Sequence, residues 1–208
     1  VDTLQLAVYG GTAFGGFGLE AGAGYAWHWI DSEREVAFGS YSDRLTADYG
    51  ARTLQVFGEA NYGFDLGQAT LEPFAGLAYV NVRSDDFDES GGAAALSAEE
   101  ESSDALFGTL GLRVEATLPI TADTAVTLSG SAGWRHAFGE EEPEGDFAFA
   151  GGSAFGIQGV PLARDTAVLE ARVGGALTPG IDLSLGYSGV IGDGINDQGG
   201  NAAVTVRF

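Results

Sequence analysis

The sequence predicts an all-β protein, an antiparallel up-and-down transmembrane β-barrel. Apolar and polar residues alternate with a period of two along nine segments, and no Asp, Glu or Arg lies on the apolar face of any of them. Most segments are about 10 residues or longer, as tilted membrane strands are, whereas soluble strands most often have about 5–6 residues. The pattern favours an apolar face turned to lipid over a soluble barrel with its charged face in water.

The nine segments follow one another along the chain. They comprise residues 4–9, 17–29, 54–65, 71–79, 106–118, 126–135, 169–177, 181–187 and 202–208. In the first three, the apolar positions are Leu4, Leu6, Val8, then Phe17, Leu19, Ala21, Ala23, Tyr25, Trp27, Trp29, then Leu54, Val56, Ala60, Tyr62 and Phe64. In the next three they are Leu71, Ala75, Leu77, Tyr79, then Leu106, Leu110, Leu112, Val114, Leu118, then Val126, Leu128, Ala132 and Trp134. In the last three they are Leu169, Ala171, Val173, Leu177, then Ile181, Leu183, Leu185, Tyr187, then Ala202, Val204, Val206 and Phe208.

The opposite face of these segments carries the charges. We expect a set of nine to point into the lumen: Glu20, Glu59, Glu72, Arg113, Glu115, Arg135, Glu170, Arg172 and Arg207. Opposite charges on neighbouring strands can pair and stabilise the wall. Glycines on this face leave room inside: Gly22, Gly24, Gly76, Gly111 and Gly133.

Aromatic residues and connection lengths indicate which way the barrel lies in the membrane. Tyr25, Trp27, Trp29, Trp134 and Tyr187 fall at one end of their strands, as an interfacial girdle requires. The short connections are residues 11–16, 67–68, 119–124 and 178–180, and the long ones are residues 31–51, 84–104, 139–165 and 192–200. Outer-membrane barrels have short periplasmic turns and long extracellular loops. We therefore expect the C-terminus in the periplasm of a bacterium and the long loops outside the cell.

The charge of the chain excludes one class of partner. There are 30 acidic residues against 9 basic ones, a net charge of −21, and nucleic-acid binding needs a basic face. The acids concentrate in loops 84–104 and 139–165. They are typical of a solvated, mobile acidic surface; divalent-cation binding is the alternative, although neither loop has EF-hand spacing. The sequence predicts no cofactor and no metal ion.

Catalytic residues are not evident. His28 lies on the inward face, and Asp31 and Glu33 follow it soon in the sequence, which is the nearest approach to a catalytic pair. His136 lies on the outward face. The sequence therefore predicts that this chain is not an enzyme.

Four stretches resemble a known family. They are Leu71 to Val80 (LEPFAGLAYV), Gly133 to Gly139 (GWRHAFG), the run from Phe149 to Asp165, and the ending Val204-Thr205-Val206-Arg207-Phe208. Together, and in this order, they resemble the autotransporter β-domain, the translocator of type V secretion. The resemblance covers essentially the whole chain.

The resemblance implies a twelve-stranded outer-membrane barrel that exports and anchors an N-terminal passenger, with an α-helical linker threaded through its lumen. Contact with that helix is a second interpretation of the lumen charges. Val204, Val206 and Phe208 match the family's terminal signal for the outer-membrane assembly machinery. The implied partners are the chain's own passenger and linker, that machinery, membrane lipid and lipopolysaccharide.

Nine strands are visible where the family has twelve. We therefore expect residues 1–208 to form one barrel domain truncated at its N-terminus, whose first and last strands gape or pair artificially. A different function also fits a barrel of this kind. It is a small outer-membrane barrel whose acidic loops act as an adhesin or binding module.

Overall fold

A computed structural model describes residues 1–121, 124–139, 144–178 and 180–206. Within these ranges the regular structure consists of β-strands alone. The strands are β1 (Asp2–Phe14), β2 (Phe17–Phe38), β3 (Tyr41–Tyr62), β4 (Phe64–Asp65), β5 (Ala69–Ser84), β6 (Phe87–Asp88), β7 (Leu96–Ala98), β8 (Glu101–Pro119), β9 (Ala125–Phe138), β10 (Glu144–Phe149), β11 (Phe155–Gln158), β12 (Asp165–Thr178), β13 (Ile181–Gly192) and β14 (Ile195–Val206).

The long strands form one antiparallel meander. Their order is β1-β2-β3-β5-β8-β9-β12-β13-β14, and the short β4 pairs with β5. Within the described residues, each of the nine segments with period-two alternation begins on a different one of these nine strands, and the third continues onto β4. The predicted all-β, up-and-down fold is confirmed. No pairing joins β1 to β14 in the part of the chain that the structure describes. The sheet is a half-barrel with two open edges.

The two faces of the sheet differ in chemistry, and neither belongs to a conventional core. Only five hydrophobic residues are buried among those described: Ala26, Leu45, Ala47, Ala51 and Ala137. Large apolar side chains are exposed along the outward face, for example Leu77, Leu110 and Leu185. Because such a large apolar surface is unfavourable in water, this face requires lipid.

The predicted long loops at 31–51 and 192–200 are wrong. β2 and β3 continue as one hairpin in unbroken register from Phe17↔Tyr62 to Phe38↔Tyr41, and the chain turns at Gly39, which has a φ of 59°. β13 and β14 likewise meet at a tight turn, in which Gly194 has a φ of 71°. Both glycines are in the left-handed region, where other residues are strained.

Periodicity did not predict the full length of this hairpin, because the outward positions of β2 change from apolar to acidic along the strand. The outward positions of β2 are apolar up to Trp29 and acidic beyond it, at Asp31, Glu33 and Glu35. The alternation itself does not stop; only the environment of the outward face changes, from lipid to water. Trp29 therefore marks the level at which β2 leaves the membrane.

The acidic connections at 84–104 and 139–165 contain ordered strands. β6, β7, β10 and β11 form a second sheet in the order β11-β10-β7-β6, which joins the two connections. Aromatic residues, which favour strands, explain the order: the rings of Phe149 and Phe155 stack with centroids 5.6 Å apart. The two connections are therefore not simple loops, whereas the mobility of their acidic surface stays a prediction; Glu140, Glu141 and Glu142 lie outside the described residues.

Candidate functional site: the lumen face of the half-barrel

The concave side of the half-barrel, here called the lumen face, is built from the polar positions of the strands. Antiparallel register places Glu20 of β2 directly opposite Glu59 of β3. It also places Glu72 of β5 opposite Arg113 of β8. Like charges that face each other directly are destabilising, so the Glu20–Glu59 pair needs a neighbouring cation.

Arg113 supplies that cation. Its guanidinium donates from Nη1 and Nη2 to the two carboxylate oxygens of Glu59, at 2.6 and 2.7 Å. Nη1 also donates to Glu72 at 2.9 Å, and the guanidinium carbon lies 4.0 Å from the centre of the Phe74 ring. The bidentate bond to Glu59 spans two strands, because β5 lies between β3 and β8. Arg113 therefore ties three strands together from the lumen side.

Two clefts flank Arg113 on the lumen face. One, of about 460 Å³, is lined by Glu115, Glu170 and Arg172 together with small polar residues. The other, of about 240 Å³, reaches Arg135. Arg135 and Arg172 make no ion pair with any residue in the described ranges. The face thus offers both charge signs to anything that lies along it.

The structure places the expected lumen charges as follows. Glu59, Glu72 and Arg113 come together in one cluster, and Glu20 lies beside them on β2. The others line the clefts and make no ion pair with another described residue: Glu115, Arg135, Glu170 and Arg172. Of the expected assembly signal, Val204 and Val206 lie on the exposed edge strand β14. Arg207 and Phe208 lie outside the described residues.

Two of the lumen glycines do not leave open space. A methyl group at Gly22 would overlap the Phe57 ring, and one at Gly111 would overlap the Phe74 ring. The rings lie across the bare backbone of the neighbouring strand. The expectation of free room is therefore wrong at these two positions, because cross-strand aromatic rings fill it.

The histidines have different partners from those that the sequence suggested. His28 contacts the hydroxyls of Thr3 and Thr53 through its two ring nitrogens, at 3.0 Å each. Asp31 and Glu33 lie on the opposite face of β2. His136 contacts Asp165 at 2.8 Å, a pairing that sequence reasoning missed because the two residues are 29 positions apart.

A second cluster lies outside the membrane, where residues 85–100, here called the strap, pack on the β2–β3 hairpin. Arg34 donates to the two carboxylate oxygens of Glu89, from Nε at 3.0 Å and from Nη2 at 2.5 Å, and Nη2 also donates to the backbone oxygen of Ala94. The Tyr41 hydroxyl donates to Asp43, which accepts from the Ala94 amide. Leu45 is completely buried where the strap packs on the hairpin. Arg34 and Asp43 lie on the same face of the hairpin as Leu45.

These hydrogen bonds lower the pKa values of two carboxyl groups. The hydrogen bond from Arg34 holds the pKa of Glu89 below its usual range. The hydroxyl of Tyr41 lowers the pKa of Asp43 in the same way. A lowered pKa means that the ionised form is the one the folded strap favours.

Acid is expected to release the strap. Because the pKa values of Glu89 and Asp43 are lowered by folding, their contribution is fully present above the ordinary carboxyl range of about 4 and is lost as the pH falls through the folded values. Protection of residues 85–100 against hydrogen exchange, referred to the intrinsic exchange rate at each pH, should therefore be high at pH 7 and should fall below about pH 4. The Glu89→Gln variant should show faster exchange already at pH 7 and a weaker dependence on acid. An unchanged acid profile in that variant would contradict the role of Glu89.

The described residues offer little for other chemistry. They contain no helix that could cross a membrane. No group of three or more His, Cys, Asp or Glu side chains among them is arranged to hold a metal ion. Within the described part of the chain, His136 hydrogen-bonds to the Asp165 carboxylate and its ring lies 5.5 Å from the Trp134 ring, and no hydrogen bond there joins it to a serine.

An open antiparallel meander with a lipid-type outer face and a charged concave face defines the wall of a membrane β-barrel. The model of the family "Autotransporter beta-domain" matches residues 1–188. The chain belongs to this family. It is the translocator part of an autotransporter, an outer-membrane barrel that exports and anchors a passenger.

Similar proteins support this assignment. Two curated relatives from Serratia marcescens, both called extracellular serine protease, are 41% and 40% identical to the chain over all 208 residues. The chain spans about a fifth of the length of these relatives. The translocator domain of the autotransporter NalP from Neisseria meningitidis has the same fold, with a TM-score of 0.66 and 17% identity. That match covers 99% of this chain and 66% of the solved domain.

Proposed function

We propose that the nine-stranded sheet is closed by three further strands that precede β1, and that the protein's own linker helix lies along the lumen face during export. The observation that supports this is the lumen face itself. Arg135 and Arg172 lack ion pairs within the described structure, and Glu115 and Glu170 lie beside them. A polar segment threaded through the lumen can pair with these charges. Without such a segment, unpaired charges in the wall would not stabilise the barrel.

The open edges support closure by further strands. β1 and β14 each expose a row of backbone groups without a partner among the described residues, and sheet edges of this length are normally paired or covered. The resemblance to twelve-stranded barrels supplies the number of strands. The chain is then the C-terminal part of its barrel.

Export by the full-length protein tests the role of the lumen charges. A Gram-negative host expressing the protein with Arg135→Gln and Glu170→Gln should display several-fold less passenger at its surface, measured by protease accessibility of intact cells. Arg83→Gln serves as the control, because Arg83 pairs with Glu100 outside the lumen. Normal export by the double variant, with a normally folded barrel, would show that these charges only brace and hydrate the wall.

We also propose an orientation and the partners it implies. The short turns and the C-terminus lie in the periplasm, and the strap and the second sheet lie outside the cell, next to lipopolysaccharide. The assembly machinery reads a signal made of Val204 and Val206, which end β14, together with Phe208. Removing Phe208 should slow insertion several-fold, measured as the heat-modifiable, folded fraction during pulse-chase labelling, while Phe208→Tyr should retain most of the rate. Equal insertion by all three chains would contradict a terminal signal.

We propose finally that catalysis belongs to the passenger. The relatives that share this barrel are called extracellular serine proteases, and the 208 residues of this chain span only about a fifth of each. A fluorophosphonate probe should therefore label the released passenger of the full-length protein and leave the barrel unlabelled. Labelling of the barrel would overturn this division.

A further inference from the structure

The outward face of the half-barrel is not uniformly covered by large side chains. An apolar depression of about 520 Å³ crosses β2, β3, β5, β8 and β9. Its floor consists of small residues, namely Gly58, Ala60, Ala75 and Gly108, and its walls are Leu19, Leu77, Leu110, Trp134 and Phe138. Because lipid is the solvent on this side, the depression holds hydrocarbon rather than water.

The depression runs from one membrane boundary toward the other. Cross-strand register aligns Leu19, Ala60, Ala75, Leu110 and Trp134 in one row. Leu19 lies near the turn that begins β2, whereas Trp134 lies near the end of β9, before the long connection. Strands in a barrel are tilted by about 35–45°, so a row perpendicular to them descends obliquely through the bilayer.

The upper end of the depression is polar. Trp134 Nε1 donates to Asp165 Oδ1 at 2.8 Å. The same oxygen is also hydrogen-bonded to His136 Nδ1 at 2.8 Å. The rings of Trp134, His136 and Phe138 follow one another with centroids 5.5 and 4.7 Å apart. The Asp165 side chain is still 53% exposed. The carboxylate therefore presents an acceptor at the level where lipid headgroups lie.

We propose that this depression holds an acyl chain of an outer-leaflet glycolipid, with the sugar headgroup at Asp165. The groove is continuous with the lipid-facing surface of the barrel, which argues for a lipid as its occupant. Amide and hydroxyl groups of an acylated amino sugar are donors that match the Asp165 carboxylate, and Trp134 is the kind of side chain that prefers the interface. The choice of a glycolipid rests on the orientation proposed above, which places this end outside the cell.

Native mass spectrometry of the full-length protein, extracted with its membrane lipids, tests the site. The probes are deep-rough lipopolysaccharide and phosphatidylethanolamine, added back to delipidated protein. Ala75→Leu fills the groove and should weaken glycolipid retention about tenfold, equivalent to about 1.4 kcal/mol. Ala132→Leu, on the same outward face but away from the groove, should retain glycolipid as the wild type does. Asp165→Asn keeps the shape of the site and should lower the preference for glycolipid over phosphatidylethanolamine.

The outcomes separate the site from the proposed function. Equal retention by Ala75→Leu and wild type would overturn the groove, as would a preference of the wild type for phosphatidylethanolamine. Displacement of lipid by a second copy of the barrel would overturn the lipid as occupant. Passenger display is measured in the same strains. Normal display by Ala75→Leu with lost glycolipid would support a lipid site that is separate from export. Failed display by the wild type would contradict the export proposal and leave the retention result for the lipid site unaffected.

Discussion

Leu185→Arg is expected to destabilise the membrane-inserted barrel by about 2–4 kcal/mol, the cost of an arginine facing lipid near the midplane. Leu185 lies on the outward face of β13, where about half of its side chain is exposed, and its neighbours on that face of the strand are Leu183 and Tyr187. The free energy of unfolding is measured by reversible urea titration of the full-length barrel in phospholipid vesicles.

Ser188→Arg is the matched control. Ser188 lies three residues further along the same strand, on the lumen face, and register places it opposite Glu170. An arginine there gains a carboxylate neighbour and remains in a polar environment, so its effect should stay within about 0.5 kcal/mol. Equal losses in the two variants would mean that the outward face of β13 does not contact lipid.

Periodicity alone was sufficient to locate the strands within the membrane. Charged side chains are unfavourable in lipid and are tolerated in the lumen. The residue type therefore predicts which face a position belongs to, as for the neighbouring Leu112 and Arg113. The same rule fails where a strand leaves the bilayer. Beyond Trp29 the outward face carries Asp31 and Glu33, and a search for a constant apolar face stops there although the strand continues.

The composition of the lumen face was predictable from parity, but its pairing was not. Glu72 is the direct cross-strand neighbour of Arg113, whereas Glu59 lies two strands away and still receives the bidentate bond. Arg113 can reach Glu59 because the arginine side chain is long and its planar guanidinium binds a carboxylate with two bonds. Sequence spacing does not predict this pairing. The rings of Phe57 and Phe74 were missed for a similar reason, because they lean sideways over glycines of the neighbouring strand.

The few cations of an acidic chain have a common use. Arg34, Arg52 and Arg113 each bind a carboxylate on a different strand or connection, at Glu89, Asp85 and Glu59. In a chain with a net charge of −21, each such arginine also shields acids that would otherwise repel one another. Losing one of them should therefore cost more than one ion pair.

Arg113→Ala is expected to show this most clearly, with a loss of about 2 kcal/mol in the free energy of unfolding. The variant removes hydrogen bonds to two carboxylates, and bonds to charged groups contribute about 1.5–3 kcal/mol. It also leaves Glu59, which lies opposite Glu20, and Glu72 without the cation that they share. The measurement is urea unfolding in vesicles, with Arg172→Ala as the control because Arg172 makes no ion pair within the described residues.

A second substitution separates lost bonding from uncompensated charge. In the Arg113→Ala background, Glu59→Gln removes the central carboxylate of the three, and it should recover part of the lost stability because an unpaired charge is the larger share of the penalty. In the wild-type background the same Glu59→Gln change should destabilise, since it breaks the bidentate bond. If Glu59→Gln destabilises both backgrounds equally, the two residues do not interact in the membrane-inserted barrel, and Arg113 is not the tie between β3, β5 and β8.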